Sequence, residues 1–279
     1  MRRAIFGLIL SAGVLAAQGN PDWHRPFPEF RIAGNIYWVG TADLAVYLIK
    51  TPAGDILINT DFDQDVPNIQ KSIEKTGAKM SDVKIILISH AHDDHVAGTA
   101  AIKKLTGAQL MVMEPDVDEM ESGGQGDFQY KSRWAPVKVD RVLHDGDTVK
   151  LGGTTLVAHL TPGHTKGCTT WTTQVTENGR PLHAVIVGSP NVNPGYRIVN
   201  NPKYPNQAQD YEKTFAVLKS LPCDVFLGAH GAYFGLKAKY EKYRTEGPAA
   251  FIDPAGYKAY VSERESAFRR ELARQSAQR

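Results

Sequence analysis

Lys84-Ile85-Ile86-Leu87-Ile88-Ser89-His90-Ala91-His92-Asp93-Asp94-His95 is the stretch whose reading decides the fold. Its first half is an aliphatic run of strand length, read as one buried strand over residues 83–88. Its second half places His90, His92, Asp94 and His95 within six positions, where that strand hands over to a helix. Loops at the carboxyl ends of strands are where sheets present ligands. In a locally extended segment His90 and His92 point the same way and can grip one ion. Asp94 and His95 fall on the following turn and can face a second. Imidazole and carboxylate together favour zinc or a similar first-row metal.

Two further histidines stand in the same kind of setting. His164 lies in Thr161-Pro162-Gly163-His164-Thr165, just past a strand over residues 154–160. His230 follows the apolar run Val225-Phe226-Leu227-Gly228-Ala229. Either alone would read as a turn or core histidine. Beside the first cluster they complete six ligands, and two groups of three leave each ion room for water, as in a catalytic zinc site. His24, His144, His159 and His183 read as surface or core residues.

Working outward from this loop, short apolar strands separated by turn residues occur before it, ending with Asp55-Ile56-Leu57-Ile58-Asn59. Residues 66–75 have helical spacing with Gly77 at the expected end, and residues 99–105 form a second helix ended by Gly107. Farther on, strands are expected over residues 142–149 and 154–160, joined at Gly152-Gly153. More follow over residues 171–175, 183–187 and 224–227, with helices over 211–218 and 263–273. Meandering strands interrupted by single helices, in two successive halves, predict an α+β architecture: a two-sheet core with helices outside, in one domain.

The chain has 279 residues, 42% hydrophobic and 22% charged, enough to build a sizeable core. Lys plus Arg number 32 against 30 Asp plus Glu. With no basic cluster above this background, a nucleic-acid partner is not expected. Arg2 and Arg3, a short apolar run and Ala17-Gln18-Gly19 have the form of an export signal over residues 1–19, leaving a mature domain over residues 20–279. The apolar run is too short and too interrupted by glycine to span a bilayer comfortably, although a retained anchor is the alternative. Cys168 and Cys223 read as separate thiols.

Taken in order, His90-x-His92-x-Asp94-His95, His164 in a Pro-Gly-His turn and His230 near the end resemble the metallo-β-lactamase superfamily, over nearly all of the chain from Trp23 onward. The resemblance implies a four-layer αββα sandwich with two zinc ions at one edge of the sheets. Many members carry a bridging aspartate after the strand that here ends at Gly188, whereas this chain has Ser189. In that respect it looks like the histidine-rich third subclass of class B β-lactamases. There His90, His92 and His164 would hold the first zinc, and Asp94, His95 and His230 the second. Ser189-Pro190-Asn191-Val192-Asn193-Pro194-Gly195-Tyr196, the Asn201 to Pro205 stretch and Leu221-Pro222-Cys223-Asp224-Val225 resemble the same subclass.

The implied activity is hydrolysis of the β-lactam ring of penicillins, cephalosporins and carbapenems by a zinc-bound hydroxide, in a secreted, periplasmic enzyme. Asp94 would orient the water as well as bind metal, and Tyr196 is the candidate oxyanion donor, with packing as the alternative. Ser189 and Asn191, together with Tyr196, are the candidate substrate-binding residues. Trp23, Phe27, Phe30 and the loop over residues 122–128 would wall the cleft or join the core. The expected partner is a small-molecule β-lactam, with no stable membrane association after signal cleavage and a monomer favoured. A lactone or thioester hydrolase on the same scaffold is the main rival, since fold does not fix substrate. A non-enzymatic zinc-binding protein is the other.

Three departures stand out. The superfamily's Asp-Thr-Gly appears as Asn59-Thr60-Asp61, the cysteine that often pairs with the Leu-Pro-Cys position has no counterpart near residues 251–260, and Asn191 replaces a serine of some members.

Overall fold

Seven strands form one sheet in chain order: β1 (Phe30–Ala33), β2 (Ile36–Trp38), β3 (Tyr47–Thr51), β4 (Gly54–Ile58), β5 (Val83–Leu87), β6 (Gln109–Met113) and β7 (Arg141–Leu143). A second sheet holds β8 (Thr148–Leu151), β9 (Thr154–Leu160), β10 (Thr169–Glu177), β11 (Arg180–Val187) and β12 (Val225–Gly228), in the order β12-β11-β10-β9-β8. The computed structural model describes residues 20–278, so the leader expected over residues 1–19 lies outside them. No described helix is long and apolar enough to cross a membrane.

Period-two alternation sorts the first sheet's side chains between two cores. Tyr47, Ile49, Ile56, Ile58, Ile85 and Leu87 face the second sheet, where they meet Trp171, Ala184 and Ile186. Leu48, Leu57, Ile86 and Val112 face the other way, onto α1 (Val66–Lys75) and α3 (Thr99–Thr106) through Ile69, Ile73 and Ile102. Strands buried on both faces are why these runs read as continuously apolar. The second sheet is covered by α5 (Gln207–Ser220) and α8 (Pro254–Ser276), whose Tyr211, Phe215 and Phe268 belong to the same contiguous apolar cluster. The layers therefore run helix, sheet, sheet, helix, the α+β sandwich expected. Between these elements lie the short helices α2 (Asp93–Val96), α4 (Val117–Ser122) and α6 (Gly231–Phe234), with α7 (Leu236–Glu246).

Several expectations change. Residues 142–149 are not one strand: β7 and β8 belong to different sheets, parted by a turn at Asp145-Gly146. Hydropathy carried across that turn because Val142, Leu143 and Val149 are apolar on either side of it. The Gly152-Gly153 hairpin does join β8 to β9, pairing Leu151 with Thr154. Strand β6 and helices α4 and α7 were not anticipated. Helix α8 begins well before residue 263, where Asp253 caps it by accepting the Gly256 N–H at 2.8 Å and Pro254 opens its first turn. Phe27 and Phe30 are core residues rather than cleft walls, both packed 4.9 Å from the Tyr240 ring. Cys168 and Cys223 are free thiols, as read.

Candidate metal centre

The loops that follow β5, β9, β11 and β12 all open at the same edge of the sandwich, and each brings a histidine or a candidate substrate residue to it. After β5 the chain stays extended to His92 (φ −116°, ψ 151°) and then turns into α2, which carries Asp94 and His95. His90 and His92 have ring centroids 4.9 Å apart, and both lie within 5 Å of the His164 ring. Donor atoms of His90, His92 and His164 all fall within 4.8 Å of one another, and so do those of His90, Asp94 and His95. His230 comes from the residue before α6, with its Nε2 3.5 Å from Asp94 Oδ2. His95 Nε2 reaches the same oxygen at 3.4 Å. All six residues named from the sequence thus converge, with His90 common to both close groups.

Hydrogen bonds settle which ring nitrogen turns inward. His164 Nδ1 donates to the Asn191 carbonyl at 2.8 Å, which leaves Nε2 free. His90 Nδ1 lies 3.2 Å from Ser89 Oγ. His95 is fully buried with no partner on either nitrogen. Such orphaned buried nitrogens cost stability unless something else binds them. Burial above all, reinforced by the neighbouring imidazoles, pushes His90, His92 and His95 well below the ordinary histidine range, and it lowers His164 to about 4. They are neutral and carry free lone pairs, the form that binds a metal. Burial raises Asp94 to about 6, although His230 pulls it down, so the cluster is short of positive charge. These four imidazoles, with His230 and the Asp94 carboxylate beside them, fit a divalent first-row cation.

The loops are held by a residue that the sequence reading missed. Asp116, just before α4, is buried and accepts three hydrogen bonds. Oδ2 takes the Ala91 N–H at 2.9 Å and the Thr165 hydroxyl at 2.8 Å, and Oδ1 takes the Gly167 N–H at 2.7 Å. It therefore ties the loop of His90 and His92 to the loop of His164. A Cβ at Gly167 would stand 2.6 Å from the Asp116 nitrogen, so only glycine lets the two segments approach. From the second sheet, the Trp171 indole donates to the Ile88 carbonyl at 3.0 Å, and the Thr169 N–H donates to Ser89 at 2.7 Å.

Asn59 explains one departure. Its amide donates to the Ala45 carbonyl at 3.1 Å, and its Oδ1 accepts the Ser89 N–H at 2.7 Å. An ionised aspartate could not make the first bond. Asp61 has φ +57° and a buried Oδ2 with no partner, and burial pushes its carboxyl up to about 9.

Above the cluster lies a cleft of about 490 Å³, lined by His92, Asp94, His164 and His230, with Asn191 and Trp23 among its walls. Tyr130 and Tyr233, neither anticipated, also line it. The loop over residues 122–128 does not: Phe128 turns inward, 5.3 Å from the Tyr196 ring. Ser189 is buried beneath the cleft, with its Oγ 3.1 Å from the Tyr233 hydroxyl. Tyr196 is only 2% exposed, and its hydroxyl donates to the His164 carbonyl at 3.0 Å. Its ring lies 5.8 Å from that of His164. Of the sequence-named residues, Ser189 and Tyr196 are the two that stand behind the wall. His144 and His183 lie away from the centre, the first exposed and the second half-buried, whereas His159 hydrogen-bonds Thr172 and His24 pairs with Asp65.

Comparison with known proteins places this geometry among relatives. Residues 44–176 match the family described as the metallo-beta-lactamase superfamily. The native FEZ-1 metallo-beta-lactamase from Legionella gormanii is 52% identical, with a TM-score of 0.89, over 90% of this chain and 98% of that one. LRA-12, a class B3 di-zinc metallo-beta-lactamase from an Alaskan soil metagenome, is 36% identical with a TM-score of 0.87, over 90% and 96% of the two chains. A hydroxyacylglutathione hydrolase of Rhodopseudomonas palustris (strain BisB5) is 31% identical over 119 residues, 43% of this chain. The chain spans about two fifths of the length of that relative.

Proposed function

The chain belongs to the metallo-β-lactamase superfamily, and from that premise we propose that it is a subclass B3 zinc hydrolase that opens the β-lactam ring of antibiotics. His90, His92 and His164 are assigned to one zinc, and Asp94, His95 and His230 to the other. When bound, two zinc ions supply a water acidified toward ~7 and a Lewis acid for the lactam carbonyl.

The chain's own residues supply the rest. The buried imidazoles stay neutral at working pH, so no proton competes for their inward nitrogens. Asp94 has two oxygens, one to serve as ligand and one to orient the attacking water. Asn191, on the wall beside His164, would hydrogen-bond the substrate carboxylate through its amide, and Ser189 would support that wall from below through Tyr233. Tyr196, behind the wall with its hydroxyl on the His164 carbonyl, supports the His164 loop and would meet the developing oxyanion only by swinging its side chain into the cleft. Trp23 and Tyr130 give apolar surface to a cleft that otherwise presents polar groups. Export to the periplasm, supported by the leader over residues 1–19, and action as a monomer over a single domain from residue 20 complete the proposal.

The observation that carries this reading is one cleft lined by His92, Asp94, His164 and His230, with His90 and His95 packed beside them, in a chain 52% identical to a metallo-beta-lactamase along nine tenths of its length. The test is hydrolysis of nitrocefin, a carbapenem and a glutathione thioester by purified protein, with and without a chelator. Lactam turnover that the chelator abolishes and zinc restores is expected. Thioester turnover without lactam turnover would overturn the proposal in favour of the rival hydrolase.

A further inference from the structure

The outward nitrogens of the histidines are not held alike. His164 uses a backbone carbonyl and His90 a hydroxyl, while His92 Nε2 lies 3.6 Å from Asp127 Oδ2, too far for a hydrogen bond. Among the described residues, His230 is the one of the five whose outward nitrogen meets a carboxylate at bonding distance: Nδ1 is 3.1 Å from Asp43 Oδ2.

Asp43 lies in the turn between β2 and β3 and is 6% exposed. Its surroundings fix it tightly. Oδ1 accepts the Ala232 N–H at 2.8 Å, and Oδ2 also accepts the Trp23 indole N–H at 3.1 Å. Its carbonyl accepts the Gly231 N–H, and the next residue, Leu44, pairs with His230 in an isolated antiparallel bridge. The carboxylate therefore joins the N-terminal segment to the loop after β12 at the point where His230 emerges.

An ionised carboxylate only accepts hydrogen bonds. In the neutral ring the proton between Asp43 and His230 then sits on Nδ1, and Nε2 keeps its lone pair on the side of Asp94, 3.5 Å away. Neither other partner can reverse roles, because a backbone N–H and an indole N–H only donate. An amide at position 43 can keep this arrangement, because with its oxygen at the Oδ2 position it still accepts from His230 Nδ1 and the Trp23 indole and loses only the Ala232 bond. An alanine there removes the acceptor altogether, and nothing then holds the ring proton on Nδ1.

We infer that Asp43 is a positioning residue, which locks His230 in the tautomer whose Nε2 can bind metal and so controls occupancy of the Asp94, His95 and His230 site. The inference rests on the two-zinc reading above. It is the carboxylate–histidine–metal arrangement, in which loss of the outer partner typically costs about 10–100-fold in metal affinity.

The test compares zinc-loaded wild-type protein with Asp43→Ala during dialysis against graded chelator, counting zinc per chain. One ion should leave the variant at about 10–100-fold weaker chelation than from wild type, with the other unchanged. A second measurement does not depend on the variant folding: nitrogen-15 NMR of the imidazoles in chelated wild-type protein should find the His230 proton on Nδ1. Equal retention of both ions by Asp43→Ala, or a wild-type proton on Nε2, overturns the inference and leaves the two-zinc reading intact. Wild-type protein that holds fewer than two ions overturns that reading, and this inference with it.

Discussion

Replacing Asp116 tests whether the metal loops are assembled by the fold before any ion arrives. Asp116→Ala would leave the Ala91 and Gly167 N–H groups buried without acceptors, since each now bonds a carboxylate oxygen. The Thr165 hydroxyl, the third donor, can rotate to another partner. An unsatisfied buried donor costs about 1–3 kcal/mol, so the two together cost about 2–6 kcal/mol. That is a large part of the roughly 5–15 kcal/mol that holds an ordinary domain together. Asp116→Asn should cost less. With its oxygen kept at the Oδ2 position, only the Gly167 bond is lost, a loss of about 1–3 kcal/mol. Burial already pushes the Asp116 carboxyl above its ordinary range, partly offset by the bonds from Ala91, Thr165 and Gly167, so neutralising it returns some desolvation energy. The amide should therefore fall at the low end.

Urea unfolding of chelated wild-type protein and both variants gives these differences directly. Chelation is essential, because bound zinc stabilises the folded state by mass action and would mask them. Zinc retention by the loaded proteins should fall in the same order, since the loops carrying His90, His92 and His164 lose their common tie. Stability of Asp116→Ala within about 0.5 kcal/mol of wild type, the range of ordinary surface substitutions, would refute the account.

Acidity should act on the chelated protein with a definite sign. His90, His92, His95 and His164 are held neutral in the fold, chiefly by burial, with His164 at about 4, while the unfolded chain takes up protons below about pH 6.5. Stability is then fully present above about pH 6.5 and falls as the pH drops toward 4, by up to about 1.4 kcal/mol per pH unit for each histidine. Urea midpoints at pH 7.5, 6 and 5 should decline steeply, and a flat series would count against neutral buried imidazoles. Tyr196→Phe should cost about 1 kcal/mol of stability from the lost bond to His164. If the hydroxyl also serves the oxyanion, kcat for nitrocefin falls by up to about 10²–10³-fold with KM little changed; an unchanged kcat removes Tyr196 from the chemistry.

The ligand-dense loop was legible because its message is local. A buried strand, an extended His-x-His and a helical turn carrying Asp94 and His95 are each set by neighbours in the chain. The ends of α1 and α3 and the Gly152-Gly153 hairpin were legible for the same reason. Helix α7 was missed because its residues are mostly polar and only Leu236 is buried. The split of residues 142–149 between two sheets was missed because hydropathy does not say which sheet a strand joins.

By itself, the sequence determined which side chains could bind metal and where most of the strands and several helices lie, since both depend on residue type and short spacing. Only the tertiary structure decided how those ligands are held. Asp116 bonds residues 25 to 51 positions away, and Asp43 meets His230 across 187 positions. An aspartate in a turn looks the same in sequence whether it faces solvent or a buried imidazole. Its role is fixed by which distant donors the packed sheets carry to it.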